Sequence, residues 1–170
     1  SRLPGYVAVL DDFDREGKPR TSSALVRAGV PPEQIISPNK EQNVVDKLLE
    51  MGVRTVKKDF RRAVDEDFKD LTIVGAYIDA TSGSPHALKA MIDVVCSKAH
   101  RQKLAIAYTI IERDLTSGGA IEFTKRVLEM CDYMRGNGFE PQMGEPHRSY
   151  FEPTRPRGKR VGTHFWKRGD

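Results

Sequence analysis

Apolar residues fall in short runs separated by turns, and their spacing switches back and forth between two periods. Residues 6–10 (YVAVL), 34–37 (QIIS), 53–56 (VRTV), 71–78 (LTIVGAYI) and 104–111 (LAIAYTII) are strand-length runs without the clean alternation of a half-exposed strand. Runs of this kind suit a parallel sheet buried on both faces. Between them the apolar spacing turns helical. Thr21, Ser22 and Ser23 offer caps to a helix through Ala24, Leu25 and Val26 that stops at Gly29. Asn39 is placed to cap a helix carrying Val44, Val45, Leu48, Leu49 and Met51, which Gly52 ends. Further helices are expected over residues 61–67, 86–101 and 118–135. Beyond Gly138 the helical spacing disappears. Residues 139–143, 147–151 and 159–167 read as extended, with Val161, Thr163 and Phe165 sharing one face of the last run.

Strand–helix alternation closed by a helix-free pair of strands predicts an α/β fold. The expected form is a three-layer sandwich around a mixed, mostly parallel seven-stranded sheet with an antiparallel terminal strand. Residues 7–10 and 71–78 should be adjacent parallel strands. The core should include Val9, Ile36, Leu48, Val56, Ile73, Ile78, Ile106, Ile110, Val127, Met130 and Phe165. A chain of 170 residues without repeats, low-complexity segments or linkers reads as one domain over residues 1–170.

Composition adds limits. Hydrophobic residues at 38% and charged residues at 31% suit a folded, water-soluble domain. No apolar run reaches the roughly 18–20 residues of a membrane span, so no membrane association is expected. Cys96 and Cys131 each sit in a helical stretch and neither has metal-ligand spacing. They read as buried thiols of an intracellular protein, and no bound metal is expected. The net charge of +4 is modest but unevenly spread. Arg155, Arg157, Lys159 and Arg160 crowd a Pro-rich loop, where they are candidate phosphate contacts for RNA or DNA.

Polar residues gather where the apolar runs end. Asp11 and Asp12 follow the first run, Asn39 the second, Asp59 and Phe60 the third, and Tyr77 and Asp79 close the fourth. Ligands of open α/β sheets lie across the carboxyl ends of the strands at the switch point of strand order, so Asp11, Asn39, Asp59, Phe60 and Asp79 should line one cleft. This layout resembles the class I methyltransferase fold, over nearly the whole chain, through element order and strand ends rather than a strict signature. The resemblance implies S-adenosylmethionine as cofactor. Asp11, Asp12 and the helix start at Thr21 and Ser22 would meet its amino-acid end, the helix through free N–H groups. Asn39 would take the ribose hydroxyls, and Asp59 and Phe60 the adenine. Asp79 and Tyr77 would stand on the catalytic strand, where an acid orients a nucleophile or takes a proton. Two departures stand out: the loop after the first strand has one glycine, Gly17, and the second strand lacks a terminal acid. Nucleic acid is the expected methyl acceptor, with a small molecule or protein as the alternative.

Two other readings stay open. A domain with the same fold and a lost cofactor turn would bind a partner without catalysis. Asp12 and Asp14, followed by Arg15, Glu16 and Gly17 after a strand, also resemble the magnesium-holding acidic motif of toprim domains, and of haloacid dehalogenase-like phosphatases. That reading implies phosphoryl-transfer chemistry.

Overall fold

The computed structural model describes residues 2–79, 84–99, 103–111, 117–142, 148–151 and 160–169. The strands are β1 (Tyr6–Leu10), β2 (Ile35–Ile36), β3 (Ile73–Ile78), β4 (Leu104–Ile111), β5 (Glu140–Pro141), β6 (Arg148–Phe151) and β7 (Arg160–Arg168). The helices are α1 (Arg20–Arg27), α2 (Gln42–Glu50), α3 (Phe60–Glu66), α4 (Pro85–Cys96) and α5 (Ser117–Gly136). Six strands follow one hydrogen-bonded path, β2-β1-β3-β4-β7-β5, and β6 joins β7 off that path. β1 pairs parallel with β2 and with β3, and β3 pairs parallel with β4. β7 runs antiparallel to β4, β5 and β6. The strand order reverses around β1, because the chain leaves β1 toward β2 and returns to its other side as β3.

Adjacent residues of β1 show why its run is continuously apolar. Ala8 faces a core built with α3, α4 and α5, while Val9 faces the core of the opposite layer, where Val44 and Leu48 of α2 pack and Leu25 and Val26 of α1 lie against them. Both residues are fully buried. The α4–α5 layer is the larger: Leu88, Ile92 and Val95 of α4 and Phe123, Val127 and Met130 of α5 close over Ile78, Ile106 and Ile110. Most of the expected core residues are therefore buried. Among the described residues, no helix is long and apolar enough to cross a membrane. Both cysteines are free, Cys131 buried and Cys96 half-buried.

Several expectations need correction. The segment around residues 53–56 forms only isolated parallel bridges, Ile36 with Arg54 and Asn39 with Lys57, because β2 beside it spans just two residues. Val56 is half-buried there. Asn39 does not cap α2; the cap position is Glu41, whose N–H donates to the Asn39 carboxamide at 3.0 Å. α4 stops at Cys96, where the Ser97 hydroxyl bonds the Val94 carbonyl at 2.6 Å and the chain turns to pair Ala99 with Ile73. The largest correction is the face of β7. Its register sets Trp166 against Ile106 and His164 against Tyr108. Trp166 and His164 are buried, and Phe165 is 36% exposed on the other face. Side chains alternate along a strand, so a choice of face reverses every residue at once.

That inward face carries polar groups that must be satisfied. The Trp166 indole N–H donates to the Tyr108 hydroxyl at 3.1 Å, and the Tyr108 and His164 rings stack with centroids 5.2 Å apart. Burial pushes the Tyr108 hydroxyl well above the usual tyrosine range. A raised folded-state value stabilises the fold below the unfolded pKa of about 10 and is lost as pH rises beyond it. Thermal melts should accordingly fall steeply above about pH 10. Tyr108→Phe should flatten that alkaline loss while costing about 1–3 kcal/mol at neutral pH, because the Trp166 N–H loses its acceptor. Melting temperatures of both proteins from pH 7 upward check this.

Candidate functional site

At the carboxyl edge of the parallel strands, a cleft of about 530 Å³ opens where the strand order reverses. It is lined by Asp11 and Asp12 after β1, Asn39, Lys40 and Glu41 after β2, Lys58, Asp59, Phe60 and Arg61 at the start of α3, Asp79 after β3, and His86 in the first turn of α4. Leu10, Val44 and Met91 supply apolar wall. The polar ends of separate strands thus meet at one place.

Asp11 organises the β1 side. Its carboxylate accepts from the N–H groups of Asp12 at 3.0 Å, Thr21 at 2.9 Å and Ser22 at 2.8 Å. A buried side chain from a strand end therefore caps α1, ten residues further along the chain, where the helix has no cap of its own. The Asp11 carbonyl is held in turn by the Asn39 carboxamide at 3.0 Å. The intervening loop closes on itself. Asp14 accepts from the N–H groups of Glu16 and Lys18, each at 2.9 Å, and the Lys18 bond holds the Asp14 carboxyl below its ordinary pKa.

On the opposite wall, Asp59 caps α3 by accepting the Arg62 N–H at 3.4 Å and lies 3.7 Å from the Lys40 ammonium. Phe60 is buried and joins the α3–α5 core while bordering the cleft. Asp79 accepts a hydrogen bond from the Thr109 hydroxyl of β4 at 2.6 Å, which fixes that carboxylate at the cleft's edge.

The cleft therefore brings together Asp11, Asp12, Asn39, Asp59, Phe60 and Asp79. Four expected site residues lie elsewhere or are committed. Tyr77 lines a separate apolar hollow on the α1–α2 side of the sheet, with Val7, Leu25, Ala105, Ala107 and Phe165. Ser22 is fully buried, and the N–H groups of Ser22 and Thr21 already belong to Asp11, so α1 has no free donor at these positions for a ligand carboxylate. Asn39 is spent at both ends of its carboxamide, on the Asp11 carbonyl and the Glu41 N–H. Arg155, Arg157 and Lys159 lie outside the described residues, as does the side chain of Arg160.

Sequence reasoning missed Glu41, Lys40, Arg61 and His86 as lining groups. The signal available was the acid at Glu41, a few residues past β2 rather than at its last position. The acidic loop holds no metal set: among the described residues no three His, Cys, Asp or Glu side chains are grouped to ligate an ion.

The Asp11 cap has a measurable consequence. Asp11→Ala should lower stability to urea by about 1–2 kcal/mol, since it strips the cap from α1. Asp12→Ala, whose exposed carboxylate among the described residues accepts only from the neighbouring Phe13 N–H, should stay within about 0.5 kcal/mol of the parent.

No family model matches the sequence, and no curated protein matches it. Solved structures do match the fold. An S-adenosylmethionine-dependent methyltransferase from Agrobacterium tumefaciens superposes with a TM-score of 0.57 at 14% identity over 98% of this chain and 57% of that one. TYW2 from M. jannaschii, solved with AdoMet, superposes at 0.57 and 12% identity over 99% of this chain and 71% of that one. A methyltransferase from Geobacter sulfurreducens, solved with S-adenosyl-L-homocysteine, superposes at 0.57 and 8% identity over 98% and 85%. The chain thus spans just over half of the Agrobacterium protein's length. At such identities the likeness concerns the fold, and the chain has the class I, Rossmann-like fold of the S-adenosylmethionine-dependent methyltransferases.

Proposed function

We propose that residues 1–170 form one domain that binds S-adenosylmethionine and transfers its methyl group. The observation that carries this reading is the single cleft at the strand-order reversal, into which the ends of β1, β2 and β3 and the start of α3 all contribute. The volume, about 530 Å³, falls within the range of small-molecule sites.

The residues fit the cofactor's nucleoside. Glu41 is exposed at the cap position of α2, and its side chain makes no hydrogen bond or ion pair among the described residues. It is therefore the carboxylate available to the ribose hydroxyls, in place of Asn39. Asp59 and Phe60 border the opposite wall and would hold the adenine, Asp59 accepting from the amino group and Phe60 supplying apolar wall. The cofactor supplies a methyl group already activated on a cationic sulfur. The protein's tasks are then to place an acceptor in line and exclude water. Asp79, steadied by Thr109, is the group suited to orient the acceptor and take its proton.

Acceptor choice belongs to the loops around the cleft, not to the fold. The basic segment with Arg155, Arg157, Lys159 and Arg160 supports a nucleic-acid acceptor. A second reading, a binding domain without catalysis, draws support from the α1 terminus being closed by Asp11.

Calorimetric titration with S-adenosylmethionine separates the two. The wild type should bind, and Glu41→Gln and Asp59→Asn should each weaken binding about tenfold, corresponding to about 1.4 kcal/mol. Unchanged affinity in both variants would remove these assignments. A wild type that binds no cofactor would favour the non-catalytic reading.

A further inference from the structure

The helix terminus that faces the β1 end of the cleft has its amide donors fully accounted for. The Arg20 N–H bonds the Asp12 carbonyl at 2.8 Å, those of Thr21 and Ser22 bond the Asp11 carboxylate, and that of Ser23 bonds the Pro19 carbonyl at 3.0 Å. These are the groups a helix start offers to a bound anion. The preceding loop is equally committed at Asp12, Phe13, Asp14, Glu16 and Lys18, each of whose N–H groups has an acceptor within the loop or at its stem.

Among the described residues, the carboxylates that line that end are of one sign. Asp11, Asp12 and Asp79 line it, following β1 and β3. The cations of the cleft stand on the β2–α3 side, where Lys40 faces Asp59 at 3.7 Å and Lys58 is held by Glu66 at 3.1 Å and Asp67 at 2.7 Å. A carboxylate brought to the β1 end would lose water, find the α1 and loop amides named above already taken, and approach carboxylates of like charge. A sulfonium or ammonium brought there would meet the opposite balance.

From this we propose that the cleft discriminates by charge at its β1 end: it holds S-adenosylmethionine by the nucleoside and the cationic sulfur and amine, and takes no hold of the carboxylate, which stays in water. This rests on the cofactor reading above and adds its ligand selectivity. Asp11 acts as an internal occupant of the anion site, so the ligand class that fits best is an adenosine bearing a cationic 5′ substituent.

The test compares two pairs of probes that differ only in the carboxylate. One is S-adenosylmethionine with its decarboxylated form, and the other is S-adenosylhomocysteine with its decarboxylated form. Each is titrated into the intact chain by calorimetry at low and at high salt. In each pair the decarboxylated probe should bind as tightly as its parent or tighter, by about threefold or more at low salt. Any advantage should shrink as salt screens the acidic wall. Asp12→Asn, which leaves the α1 cap in place, should narrow the advantage at low salt. Decarboxylated probes that bind more than about threefold weaker than their parents would overturn the inference while leaving the cofactor reading intact. Failure of all four probes to bind would overturn both.

Discussion

The carboxylate of Asp11, bonded to the amides at the start of α1, is the contact on which the rest of the cleft depends. It sits just past the end of β1 and reaches ten residues ahead, so β1 and α1 are joined by a buried charge-assisted bond as well as by their loop. The same residue's carbonyl receives the Asn39 carboxamide, which draws the end of β2 into the same unit. Three elements are thereby locked at one corner of the sheet. Asn39 extends the lock further, since its own N–H reaches the Val56 carbonyl and its carbonyl accepts from Lys58. The wall that presents Lys58 and Asp59 thus hangs from the corner that Asp11 holds.

This arrangement accounts for the missing glycines. A glycine-rich turn lets backbone approach a ligand closely and leaves helix amides free for it. Here the turn is charged and closes on its own aspartate, and the helix amides are satisfied from within. Gly17, at φ 73°, serves the loop's own reversal, its N–H bonding the Asp14 carbonyl at 3.2 Å. The cleft lies at the strand-order reversal, and the carboxylates of Asp11, Asp12 and Asp79 line its β1 end.

The two sheet faces differ in how well they are covered. α4 and α5 bury the β3–β4–β7 face that carries Ile78, Ile106 and Trp166. The opposite face is covered by α1 and α2 over β1 and β2, and it leaves an apolar hollow at Ala105, Ala107 and Phe165. The division follows from the alternation of side chains on β7, which commits Trp166 and His164 to the larger core. The fold supplies the scaffold and the cleft's location, while the side chains that line the cleft come from separate loops and helix starts.

Much of the architecture was legible along the chain. Continuous apolar runs such as residues 104–111 identify strands buried on both sides, helical spacing at Val44, Val45 and Leu48 identifies α2, and the loss of that spacing after Gly138 marks the antiparallel end of the sheet. The polar residues at strand ends also indicated that Asp11, Asn39, Asp59 and Asp79 would meet, because strand direction alone sends those ends to one edge. What the sequence does not carry is the partner of each polar group. Asp11, Thr21 and Ser22 all looked like ligand contacts, but in the folded chain they satisfy one another across ten residues, and a hydrogen bond between distant groups has no local signature. Glu41 and His86 enter the cleft only through helix placement. The face of β7 was equally undetermined, since Phe165 and Trp166 are both large and apolar, and only pairing with Ile106 and Tyr108 decided which of them is buried.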